Sequence, residues 1–194
     1  MTDLAIVGTR RRIAAAALAL AAASGVACAG ADFSDWKPYS PEGAAFTVSM
    51  PGTPVKEHQL ATNPRGNLET DIYSLDLAGG GFLTITDAVL PPGLNLEADA
   101  TETLESSIGR IVESASGRVL YSRDVTISGY TAREVDVEVP TSVIEGGGRL
   151  RARVVLAGPR LYELIGVVPN RRTAEVELAH FLDSFTLREQ RKTK

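Results

Sequence analysis

YTAREVDVEV (130–139) and GRLRARVVLA (148–157) decide the reading of this chain. In the first, Glu134, Asp136 and Glu138 alternate with Val135, Val137 and Val139. In the second, Arg149, Arg151 and Arg153 alternate with Leu150, Ala152 and Val154. A period of two is the signature of strands whose two faces meet different surroundings. If the strands pair antiparallel around residues 140–147, Glu138 meets Arg149, Asp136 meets Arg151 and Glu134 meets Arg153. The three pairings share one register, so all form together, and the apolar residues meet behind them. The pattern fits an exposed ion-pair ladder that fixes the register, with a charged binding surface as the second reading. Each exposed pair contributes only about 0–1 kcal/mol. The stronger effect acts against a one-residue slip, which turns every one of these charges toward the core.

Outward from this pair, the text stays β on both sides. Val119, Tyr121, Val125 and Ile127 predict a strand ending at Gly129, and Arg160 to Val168 predict another after a Gly158-Pro159 turn. Earlier, Phe46, Val48 and Met50 alternate with Thr47 and Ser49 up to Pro51-Gly52. Val55 to Thr62 reads as a weak strand. Leu68–Leu77 and Phe82–Leu90 read as stronger ones, joined by the hairpin turn Ala78-Gly79-Gly80-Gly81. Two helices interrupt the strands. Ala100, Leu104, Ile108, Ile111, Val112 and Ala115 form one apolar stripe, with Asp99 and Glu102 in capping-box spacing and Gly117 at the end. Leu178, Phe181, Leu182 and Phe185 form a second stripe, with Asn170 as the expected N-cap. The sum is an α+β domain: an antiparallel sheet of about six to eight strands packed against two helices.

The chain has 194 residues, 44% hydrophobic and 23% charged, with a net charge of -4. This suits one globular domain and gives no electrostatic support for nucleic-acid binding. The organisation expected is a signal peptide over 1–29, a linker over 30–43, one domain over 44–187 and a polar tail over 188–194. Arg10, Arg11 and Arg12 precede an alanine-rich run from Ile13 to Ala23, and Ala27-Cys28-Ala29 forms a small-residue cleavage site. The apolar run falls short of the roughly 20 residues a spanning helix needs. Thr9 to Ile13 resembles a twin-arginine export motif. Gly25-Val26-Ala27-Cys28 resembles a lipobox, with Gly25 where leucine is usual. Two fates therefore stand for Cys28: attachment to a membrane through a lipid, or loss with the leader. Either way the protein is expected outside the cytoplasm, in the periplasm, the cell envelope or the medium. Cys28 is the chain's one cysteine, so the domain has neither disulfides nor a thiol nucleophile.

No motif compels a reaction or names a cofactor. His58 and His180 are the two histidines. His180 precedes Asp183 by three residues on the second helix; this could supply two metal ligands, where a site needs three or four. No G-x-S-x-G elbow is present, and the glycine-rich stretches at 78–81 and 145–149 sit between strands instead of opening a helix as a phosphate loop does. Most carboxylates fall on expected outer faces. Asp87, among Ile85, Val89 and Leu90, is the exception; it is either buried and hydrogen-bonded or part of a pocket. Asp87 and His180 are accordingly the pocket candidates.

Several of these stretches together carry a resemblance. They are the lead-in Trp36 to Tyr39 followed by PEGAAFTVSMPGTP (41–54), the turn with Gly129, Tyr130, Arg133 and Glu134, then GPRLYELIGV (158–167) and FLDSFTL (181–187). On them the chain resembles small exported bacterial proteins of unassigned role, which in turn resemble the PsbP-like superfamily, named for an extrinsic subunit of photosystem II. The resemblance implies an antiparallel sheet with helices packed on it, and an accessory subunit that assembles with a protein partner. Its motifs are turns and core strands, so it transfers no functional residue. The function expected is a non-catalytic binding or accessory protein of the cell envelope. The alternatives are a secreted hydrolase or metal-dependent enzyme with a dispersed site, and a carrier holding a small apolar ligand between sheet and helices.

Overall fold

A computed structural model of the chain describes residues 33–63, 66–91, 99–171 and 173–188. The strands are β1 (Lys37–Tyr39), β2 (Phe46–Met50), β3 (Val55–Asn63), β4 (Gly66–Asp76), β5 (Phe82–Val89), β6 (Arg118–Ile127), β7 (Tyr130–Val139), β8 (Gly148–Ala157), β9 (Arg160–Pro169) and β10 (Thr186–Leu187). The helices are α1 (Ala100–Ala115) and α2 (Ala174–Asp183). Seven strands form one antiparallel sheet in the order β3-β4-β5-β9-β8-β7-β6, and β1-β2-β10 form a small second sheet. The large sheet lies within the expected range of strands, and the two helices pack on opposite faces of it.

Two cores follow from this layering. On one face, Leu104, Ile108, Ile111 and Ala115 of α1 pack on Val135, Val137, Leu150, Ala152 and Val154. On the other, Leu178, Phe181 and Leu182 of α2 join Phe46, Val48 and Met50 of β2 over Tyr73, Leu83, Ile85, Tyr162 and Leu164. Covering both faces explains why the alternation fades at Val154-Val155-Leu156 in β8: each of the three meets a core and none meets water. The β5–β9 pairing joins the two halves of the sheet and sets Asp87 opposite Tyr162.

The β7–β8 register has Glu138 opposite Arg149, Asp136 opposite Arg151 and Glu134 opposite Arg153, as the alternation predicts. The burial of this ladder differs from expectation. Its charged side faces the layer that carries α2, and Glu134 and Asp136 are 1% and 0% exposed. Arg153 donates to the Leu182 carbonyl and to Asp183, and Arg149 pairs with Glu175, so the helix clamps the ladder from one side. The ladder is therefore a half-buried network. Charges tolerate this position because every carboxylate is met by a guanidinium.

The ends of the helices also differ from the sequence reading. Asp99 occupies the N-cap position of α1 without a side-chain cap bond; its carbonyl accepts from the Thr103 N–H. Ser116, in the left-handed region at φ 49°, is the C-cap residue. Asn170 does not cap α2, whose N-cap is Thr173. Instead, Asn170 donates through its backbone and side chain to the carbonyls of Gly147 and Gly146, which pins the β7–β8 loop against the end of β9. The β6–β7 hairpin closes through Ser128 and Gly129 at φ 50° and 84°. Both values are positive, as a two-residue turn matched to strand twist requires.

Candidate functional site

The feature with the most concentrated charge is the α2-side surface of β6, β7 and β8. Three columns stand side by side. Arg149, Arg151 and Arg153 come from β8, and Glu138, Asp136 and Glu134 from β7. Arg118, Tyr121 and Arg123 of β6 complete the third column, opposite Glu138, Asp136 and Glu134. The β6 column was missed in the sequence because Arg118 and Arg123 are five residues apart, a spacing that normally places them on opposite faces. A bulge between Val119 and Tyr121 returns both to one face.

Glu134 is the hub. Its Oε1 accepts from the Tyr121 hydroxyl at 3.0 Å and Arg123 Nη2 at 3.0 Å, and its Oε2 accepts from Arg153 Nε at 2.9 Å and also from Arg153 Nη2. Burial pushes the Glu134 carboxyl up, but the bonds and charge of Arg153, with the bonds from Tyr121 and Arg123, outweigh burial and hold it below its ordinary value. Asp136 accepts from both Arg149 and Arg151, from Arg151 Nη2 at 2.8 Å. The guanidiniums of Arg123 and Arg151 both lie over the Tyr121 ring, 5.4 and 5.8 Å from its centroid. The two flanking arginines of β6 are open to solvent, Arg118 at 70% and Arg123 at 61% side-chain exposure.

Asp87 lies elsewhere on the same side of the sheet. It is 4% exposed, and both its oxygens accept from Arg160 Nη1, at 2.7 and 2.9 Å. It lines a shallow cleft of about 90 Å³ with His58, Glu69, Asp71 and Arg160. Asp71, directly opposite Asp87, accepts from His58 Nδ1 at 2.8 Å and pairs with Lys56 at 2.9 Å. Burial pushes the Asp87 carboxyl up, and Arg160 offsets only part of that. Burial also pushes on Asp71, but the His58 and Lys56 hydrogen bonds outweigh it and hold Asp71 low. Two facing carboxyls are thus driven in opposite directions. For Asp87 the folded value is raised, so its contribution to stability is present below the unfolded value and lost as pH rises through the folded one. Asp87→Asn is therefore expected to gain stability relative to wild type between the carboxylate range and neutrality, measured by urea unfolding at stepped pH.

His180 does not line the cleft that holds Asp87. Its ring stacks on Phe33 at 4.1 Å between centroids and meets the edge of Trp36 at 5.0 Å, which fastens the chain's lead-in to α2. Asp183, its neighbour one turn on, is taken by Arg153. Among the described residues, no group of three or more His, Cys, Asp and Glu is placed to hold a metal ion. One further carboxylate departs from the expected outer faces: Glu163 sits under α1, bonded by Arg110 at 3.3 Å and pushed up by burial. A larger cleft of about 470 Å³ opens where the start of α2 meets β8, lined by Arg149, Asn170, Arg171, Ala174, Glu175 and Val176. Cys28 and residues 1–29, where a leader is expected, lie outside the described residues, and among those described no helix is long and apolar enough to cross a membrane.

No protein-family model matches the chain, and no curated protein is similar to it. Solved structures are. The solution structure of cyanobacterial PsbP (CyanoP) from Synechocystis sp. PCC 6803 superposes with a TM-score of 0.53 at 11% identity, over 84% of this chain and 98% of that one. The fold is PsbP-like. At that identity the PsbP-like arrangement concerns layers and connections, and it assigns no activity to any residue. A crystal structure of a protein of unknown function from Pseudomonas aeruginosa aligns over 74% of this chain and 90% of that one, at 15% identity and a TM-score of 0.35, too low to carry an argument.

Proposed function

We propose that the chain is an exported binding subunit of the cell envelope that acts by assembling with a protein partner and not by chemistry of its own. One observation carries this reading: both outer strands of the large sheet, β3 with nine residues and β6 with ten, have no strand beside them among the described residues. Such edges are templates for pairing with another chain. Exposed Val55 and Leu60 on β3, and Val119 and Leu120 on β6, add apolar surface at these edges. The leader at 1–29 supplies the envelope location, and Gly25 favours cleavage after Ala29 over acylation of Cys28.

The test is photocrosslinking in intact cells from residues placed at Thr126 on β6, Leu60 on β3 and Glu102 on α1. A discrete adduct from at least one position is expected, together with a mature mass beginning at Gly30. Absence of an adduct from all three overturns the reading. A second reading rests on the Asp87 cleft, where two facing carboxyls with opposite shifts meet His58. Turnover by the purified protein that is lost in a folded Asp87→Asn variant replaces the binding role with a hydrolytic one.

A further inference from the structure

The charged face of β6–β8 ends at an open edge, and its order across the sheet is alternating. The β8 column is cationic, the β7 column anionic and the outermost β6 column cationic again. The arginines of β6 keep donors free. Arg123 spends Nη2 on Glu134, and Arg118 spends Nε and Nη2 on Glu138; the remaining N–H groups have no acceptor among the described residues. Beside them, the outer N–H and C=O groups of β6 have no strand to pair with among those residues. Backbone pairing and side-chain charge are thus presented along the same line.

We infer that the edge of β6 takes an extended segment of the partner as an added strand, and that this segment is acidic at the positions beside Arg118 and Arg123. The inference rests on the binding reading above and names its surface and its partner chemistry. A strand added there has alternate side chains on the arginine face, next to Arg118, Tyr121 and Arg123. Carboxylates at the two outer positions continue the alternation of charge, and an apolar group between them lies against the Tyr121 ring. Basic side chains at the same positions meet like charge. A second copy centred on Arg123 would oppose one guanidinium to another, so the arginines that blunt self-pairing also select an acidic strand.

The probe is a synthetic strand peptide with glutamate at alternate positions and valine or threonine between, set against the same peptide with lysine for glutamate. Binding is followed on the whole mature protein by NMR. Two cross-strand charge pairs amount to roughly a tenfold preference. The glutamate peptide is expected to protect the outward amides of β6 and to bind about tenfold more tightly than the lysine peptide. The Arg118→Gln/Arg123→Gln double variant is expected to lose that preference while keeping its melting temperature. Equal binding of both peptides by wild type, protection elsewhere than β6, or a β6-paired dimer of this chain overturns the inference. Cellular adducts from Leu60 or Glu102 but never from Thr126 overturn it too, while leaving the binding reading intact.

Discussion

Glu134→Ala is expected to destabilise the protein by about 3–5 kcal/mol, the range for breaking a buried ion pair by removing one partner. The cost comes less from the bonds lost than from what remains. Arg153 is 5% exposed and carries its charge inside the layer between sheet and α2. Without Glu134 it keeps only the Leu182 carbonyl and Asp183, a carboxylate exposed to water at its other side. The Tyr121 hydroxyl loses its acceptor as well. Urea unfolding measures the loss, and Arg123→Ala provides the contrast: that arginine is mostly solvated, so its removal is expected to shift the unfolding midpoint far less than Glu134→Ala does. The acid limb gives an independent reading. Glu134 is held below its ordinary value, so its contribution is present above the unfolded value and lost as pH falls through the folded one. Wild type and Glu134→Gln are therefore expected to converge in acid and separate toward neutrality, opposite in slope to the Asp87→Asn comparison. A gap that stays constant with pH would show that Glu134 acts only by packing.

Gly81→Ala is expected to cost about 3–4 kcal/mol, combining left-handed backbone with overpacking. Gly81 has φ 87°, which L side chains rarely adopt. A Cβ there would lie 2.0 Å from the Val167 carbonyl oxygen and 2.9 Å from Val168 Cα. Both are backbone atoms of β9, a central strand, so neither can swing aside as a flexible side chain could. Gly129→Ala isolates the first part of this cost. Its φ is 84° and nothing lies within 4 Å of the Cβ position, so about 1–2 kcal/mol is expected from strain alone. Paired denaturation curves measure the difference. Equal losses at the two sites would mean that β5 and β9 separate readily at that corner and that the approach of Gly81 to β9 is not tight.

The candidate site was less legible than the strands that build it. The β7–β8 register could be derived from the chain because opposite charges repeat at the same period on both strands. That those carboxylates are buried could not. Alternation says that two faces differ, but an arginine-matched carboxylate is as compatible with a covering helix as with water. The expected outer faces therefore hid Glu134 and Asp136 on the α2 side and Glu163 under α1. The third column escaped for a different reason. One extra residue at Leu120 changes which face every earlier residue of β6 occupies, and no turn residue or charge at that point announces it.

The sequence by itself determined the local grammar of this protein: which segments are the strands of the large sheet, which two carry apolar stripes, where those strands turn, and how β7 aligns on β8; the short strands β1, inside the expected linker, and β10 were not legible. The legible features are consequences of period, turn chemistry and nearest-neighbour charge, all encoded within a few residues of where they act. Only the tertiary structure decided that α1 and α2 take opposite faces, that Asp87 meets an arginine 73 residues away, and that the β6 edge ends in a cationic column. Those outcomes depend on which layers close over which face, a choice made by the total burial and charge matching of the folded chain.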